Sequence, residues 1–68
     1  MQYKHLQAKP RVVVNLLSGT SVSGVVTSTR GPLLTIKGAA IHQEGVQDTA
    51  ADGEIVVDKS QIDFIQAL

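Results

Sequence analysis

The sequence predicts an all-β fold, a small five-stranded and strongly bent barrel, and three observations carry that expectation. Apolar and polar residues alternate at period two from residue 11 onward, and β-branched residues are frequent over the same span. Turn residues interrupt the pattern often enough that only short strands fit between them. Gly24 falls on the apolar side of a strand, where a missing side chain permits a sharp bend or a close backbone approach. Closure is expected because a barrel leaves no sheet edge exposed.

The first strand is expected over Arg11 to Leu17, with Val12, Val14 and Leu16 on one face. Leu17-Ser18-Gly19 makes the turn, since Gly19 is free to adopt a positive φ. Along Thr20 to Ser28, Val22, Gly24 and Val26 point inward while Ser21, Ser23, Val25 and Thr27 point outward, as suits a sheet wet on one face. Arg30-Gly31-Pro32 ends this strand, because proline fixes φ and cannot donate to a ladder. Leu33 to Lys37 resumes around Leu34 and Ile36, and small residues at 38–40 leave open a continuation to Ile41.

His42 to Gly53 is polar without a sustained apolar period and reads as a loop or the tip of a long hairpin. Strand four is expected over Glu54 to Val57, a tight turn at Asp58-Lys59-Ser60, and strand five over Gln61 to Leu68, with Ile62, Phe64 and Ile65 as its large apolar residues. Residues 1–10 read as an N-terminal arm or single helical turn that Pro10 ends, and residues 11–68 as the barrel domain.

Sixty-eight residues close one core, and no cysteine supplies a disulfide or thiolate-metal staple. Tyr3 and Phe64 are the only aromatic residues, so the core must be built from Val, Ile and Leu. A lone barrel of this kind is marginal, which favours a homo-oligomer or attachment to a larger assembly. The N-terminus carries no apolar run, and no stretch approaches the ~18 apolar residues of a membrane helix. A cytoplasmic or virion location without membrane contact is therefore expected.

Net charge is zero, which removes the usual electrostatic footprint of a nucleic-acid binder. The charge is nevertheless segregated. Residues 1–37 hold Lys4, Lys9, Arg11, Arg30 and Lys37 with no carboxylate, whereas residues 38–68 hold Glu44, Asp48, Asp52, Glu54, Asp58 and Asp63 against Lys59 alone. Complementary halves of this sort can set the register of one subunit against the next.

The run Val12-x-Val14-x-Leu16-x-x-Gly19, followed by Gly24 and Val26, resembles the first motif of the Sm-like family, which includes the Sm, Lsm and Hfq proteins. The segment Glu54 to Ile65 is similar to the second motif, two short strands around a tight turn. The resemblance implies a small barrel that pairs with its neighbours through the strand edges at Glu54 to Val57 and Gln61 to Phe64. It does not extend to the residues that contact RNA. Where the family has an aspartate and then Met-Asn, this chain has Arg30-Gly31-Pro32-Leu33-Leu34, and Asp58-Lys59 stands where the family has Arg-Gly. RNA binding is accordingly expected to be weak or absent.

Catalysis needs a nucleophile with a positioned base, paired carboxylates or a metal cluster. His5 and His42 are the only histidines, and His42, Glu44, Asp48 and Asp52 lack the acidic spacing and turn glycine of a calcium loop. Ser18, Ser21, Ser23 and Ser28 read as turn and outer-face residues outside any nucleophile-elbow sequence. The expectation is a non-enzymatic structural module without cofactor or metal, in the style of small phage virion proteins that stabilise a capsid or join head to tail. Its partners would be itself or such a lattice, with an RNA-binding ring as the alternative. Candidate interface residues are the outward Val13, Leu17 and Val25, the turn residue Arg30, and Glu54, Val56 and Phe64 along the two edges.

Overall fold

The computed structural model describes residues 11–68, so the expected N-terminal arm, with Tyr3 and His5, lies outside the described residues. Six antiparallel strands form one sheet: β1 (Val12–Leu16), β2 (Ser21–Ser28), β3 (Leu33–Gln43), β4 (Val46–Ala50), β5 (Glu54–Asp58) and β6 (Ile62–Ala67). A single 3₁₀ turn, Lys59–Gln61, joins β5 to β6, and there is no α-helix among the described residues. Hydrogen-bonded neighbours run β4-β3-β2-β1-β6, with β5 also on β3.

The eleven-residue β3 organises this arrangement because it changes partner midway. Its first half, Leu33 to Lys37, pairs with β5, and its second half, from Ala40, pairs with β4. The all-β expectation is met, but two parts of it are corrected. There are six strands rather than five, and the sheet bends without closing into a barrel. The sixth strand is β4, inside the segment expected as a loop from His42 to Gly53. All five of its side chains are exposed, so it presents no apolar period to read.

The core lies where the alternation places it. Val12, Val14, Val22, Val26, Leu34, Ile36, Ala39 and Val57 are buried, and Leu16, Ala51, Ile55, Ile62 and Ile65 pack against them. Burying such aliphatic side chains contributes roughly 1.5–3 kcal/mol each, which is the main force holding the sheet curved around one face. Gly24 serves the close approach expected of it. A Cβ there would stand 2.5 Å from Ile36 Cγ2 and 2.9 Å from the Lys37 carbonyl oxygen.

Bulges explain where strict alternation fails. Asn15 pairs with Phe64 and Leu16 with Ile62, so β6 has one extra residue, Asp63, against β1. That insertion lets Ile62 and Ile65 both reach the core despite their odd spacing, and it turns Phe64 outward beside Asn15. The expected apolar trio of strand five is thus a pair of core isoleucines and an exposed phenylalanine. A second bulge sits in β3 opposite Gly24, where Gly38 takes a φ of 59° that other residues resist.

Candidate functional site: two sheet edges, a pinned turn and an outer-face relay

β5 and β6, like β4, each pair on one side only among the described residues. Which backbone groups face outward follows from the ladder. The Lys59 N–H donates to the Pro32 carbonyl at 2.8 Å, just past the end of β5. Antiparallel bonding alternates, so Val57 and Ile55 also turn their N–H groups toward β3, while Asp58, Val56 and Glu54 turn theirs to the open edge. The Val56 side chain, 55% exposed, stands on the same margin. On β6, the Leu68 N–H bonds the Arg11 carbonyl at 3.1 Å, which leaves Ala67 and Ile65 with outward backbone groups. Phe64, 50% exposed, flanks that edge.

The turn between β2 and β3 is held from the other end of the chain. Lys59 Nζ donates to the carbonyls of Thr29 and Gly31, the latter at 2.7 Å. A lysine in the β5–β6 connection therefore fixes the loop that carries the exposed Arg30, whose own N–H reaches Ser28 Oγ at 3.4 Å. Asp58 accepts from the Ser60 N–H at 2.9 Å and starts the 3₁₀ turn. That backbone bond, and then the Ser60 hydroxyl, hold the Asp58 carboxyl below its ordinary value.

On the outer face, cross-strand register assembles a polar relay. Ser21 lies opposite His42, and Ser23 opposite Ala40, so His42 reaches Ser23 along a cross-strand diagonal. His42 Nε2 is 2.9 Å from Ser23 Oγ. Its other nitrogen, Nδ1, is 2.9 Å from Asp48 Oδ2. Asp48 sits where β4 carries an extra residue relative to β3, and a bulge of this kind re-aims a side chain. Asn15 occupies the same face on β1, opposite Ser21, and its Nδ2 is buried without a hydrogen-bond partner.

The residues singled out from the sequence do not form one cluster. Val13 is partly buried opposite Ser23, Leu17 is exposed in the β1–β2 turn, and Val25 is exposed opposite Lys37. Glu54 accepts from Thr27 Oγ1 at 3.2 Å on the outer face. Val56 and Phe64 stand at opposite edges of the sheet. Of His42, Glu44, Asp48 and Asp52, His42 and Asp48 meet, but among the described residues no group of three or more His, Asp or Glu is placed to hold a metal ion. What sequence reasoning missed is the Ser23–His42–Asp48 relay. Its members are 19 and 6 residues apart, and only the β2–β3–β4 register shows that they meet. No protein-family model matches the chain, and no curated protein matches it in sequence. No helix among the described residues is long and apolar enough to cross a membrane.

Proposed function

We propose that the protein is a structural assembly module that joins copies of itself, or docks on a larger protein lattice, by strand pairing across its β5 and β6 edges. The observation that carries this reading is the pair of unlike edges at opposite ends of one sheet, each flanked by an exposed apolar side chain, Val56 on β5 and Phe64 on β6. Two different edges suit head-to-tail contact, which closes into a ring or continues along a lattice. The two segments that resemble the Sm-like motifs fold as β1–β2 and β5–β6, which supports an Sm-like arrangement of such contacts. A phage capsid or head-to-tail connector is the kind of lattice this module would serve. One observation favours the alternative, an RNA-binding ring: Arg30 stands exposed on a turn that Lys59 holds rigid.

Proline at position 56 tests the edge contact. The Val56 N–H faces outward, so Val56→Pro removes a donor from the open edge and spares the β3–β5 ladder, whereas Val57→Pro removes a donor from that ladder. Light scattering and circular dichroism should show a folded but dissociated Val56→Pro protein and an unfolded Val57→Pro protein. Assembly unchanged by Val56→Pro would place the contact elsewhere.

A further inference from the structure

We propose that Ser23 is an activated nucleophile that accepts a short acyl group from an activated ester, a reactivity that goes beyond assembly. His42 is its general base, Asp48 orients His42, and Asn15 donates to the developing oxyanion. Asp48 accepts from His42 Nδ1–H, and in that tautomer Nε2 accepts from the Ser23 hydroxyl. Both contacts are 2.9 Å, within reach for proton transfer.

Ser23 lies inside β2, with β1 on one side and β3 on the other, so its backbone N–H belongs to the sheet. An oxyanion donor must therefore come from a side chain. Asn15 supplies a buried amide N–H with no partner, on the outer face and one cross-strand diagonal from Ser23. Diagonal neighbours stand about 7–8 Å apart at the backbone, which side chains of this length span. A buried donor left unpaired is destabilising, and an oxyanion beside Ser23 would relieve that cost.

Ser23 is flanked across the strands by Val13 and Ala40, and Ala40 by Ala50. This small apolar strip suits a short acyl chain rather than a bulky one. The His42 side chain is 34% exposed and that of Asp48 64%, so the relay is open to a ligand from solution. In the reaction the Ser23 hydroxyl proton passes to Nε2 as Oγ bonds to the carbonyl carbon. The bond from that carbon to the leaving oxygen then breaks, and the departing alkoxide or aryloxide takes the proton from Nε2. The products are an acyl-Ser23 ester and a free alcohol or phenol.

The test is incubation of the full-length protein, in whatever assembly state it is purified, with p-nitrophenyl acetate. Nitrophenolate release is followed, and the acetyl group is located by peptide mapping. One acetyl group per chain on Ser23 is expected. His42→Gln should slow acylation roughly 10²- to 10⁴-fold, the usual contribution of a general base. Asn15→Ala should slow it roughly 10²- to 10³-fold, as loss of an oxyanion donor does. Ser21→Ala should leave it unchanged. Acetyl found on lysine or on other serines of the wild-type protein, or a rate insensitive to His42→Gln, would overturn the proposal. The wild-type map decides the matter even if a variant fails to fold.

Discussion

Gly24→Ala is a one-carbon change that the structure converts into a definite loss of stability. The added Cβ would stand 2.5 Å from Ile36 Cγ2 and 2.9 Å from the Lys37 carbonyl oxygen, with the Ala39 Cα at 3.3 Å. Ile36 is fully buried, and the other two atoms are backbone of the strand that pairs with β2, so neither side yields easily. Overpacking of this kind costs about 1–3 kcal/mol. Loss of glycine freedom in the unfolded chain returns about 0.4–1 kcal/mol, which leaves a net destabilisation centred on about 1.3 kcal/mol. A domain of this length has roughly 3–10 kcal/mol of stability in all, and the change should lower Tm by roughly 5–10 °C. Urea or thermal unfolding followed by circular dichroism reads it directly. Adding Ile36→Leu, which removes the β-branch carrying Cγ2, should recover only part of the loss, because the Lys37 carbonyl contact remains. A Gly24→Ala protein as stable as wild type would refute the close approach of β2 and β3.

Lys59→Met should loosen the Arg30 turn and cost about 1–2 kcal/mol in unfolding experiments, because two carbonyl oxygens lose a charged donor. Asp58 is held below its ordinary value of 3.8 by the Ser60 N–H, so its contribution is present above that pH and is lost as pH falls through the lower folded value. Wild-type stability should therefore decline more steeply below about pH 4 than that of Asp58→Asn, as acid titration of the melting temperature would show. Oligo-uridine and oligo-adenosine should bind no better than roughly 10⁻⁴–10⁻⁶ M at physiological salt, and Arg30→Ala should remove most of that binding in fluorescence anisotropy. Phe64 is exposed beside Asn15, but a single ring offers no platform on which successive bases stack.

The inward alternation of β1, β2 and the first half of β3 was legible because one face of each strand is buried and the other is wet. Val12, Val14, Val22, Val26, Leu34 and Ile36 therefore announce themselves by spacing alone. β4 was not legible, since Val46-Gln47-Asp48-Thr49-Ala50 buries nothing and is a strand only because β3 extends far enough to pair with it. The phase of the last strand was not legible for a related reason. The bulge at Asp63 reverses the phase of the last strand, and no residue type at that position signals it. The edges around Val56 and Phe64 were foreseen as segments, but closure into a barrel was not a property that short-range alternation could decide. The relay was hidden more deeply, because a serine, a histidine and an aspartate in separate strands meet only through two registers and a bulge.

The central claim is that the β5 and β6 edges are satisfied by other chains, and native mass determination of the full-length protein at micromolar concentration tests it most directly. The account predicts a multi-chain species, or a stable complex with a larger protein assembly, that falls to the single-chain mass in folded Val56→Pro. A wild-type protein that is monomeric at that concentration and still melts cooperatively well above 37 °C would contradict it.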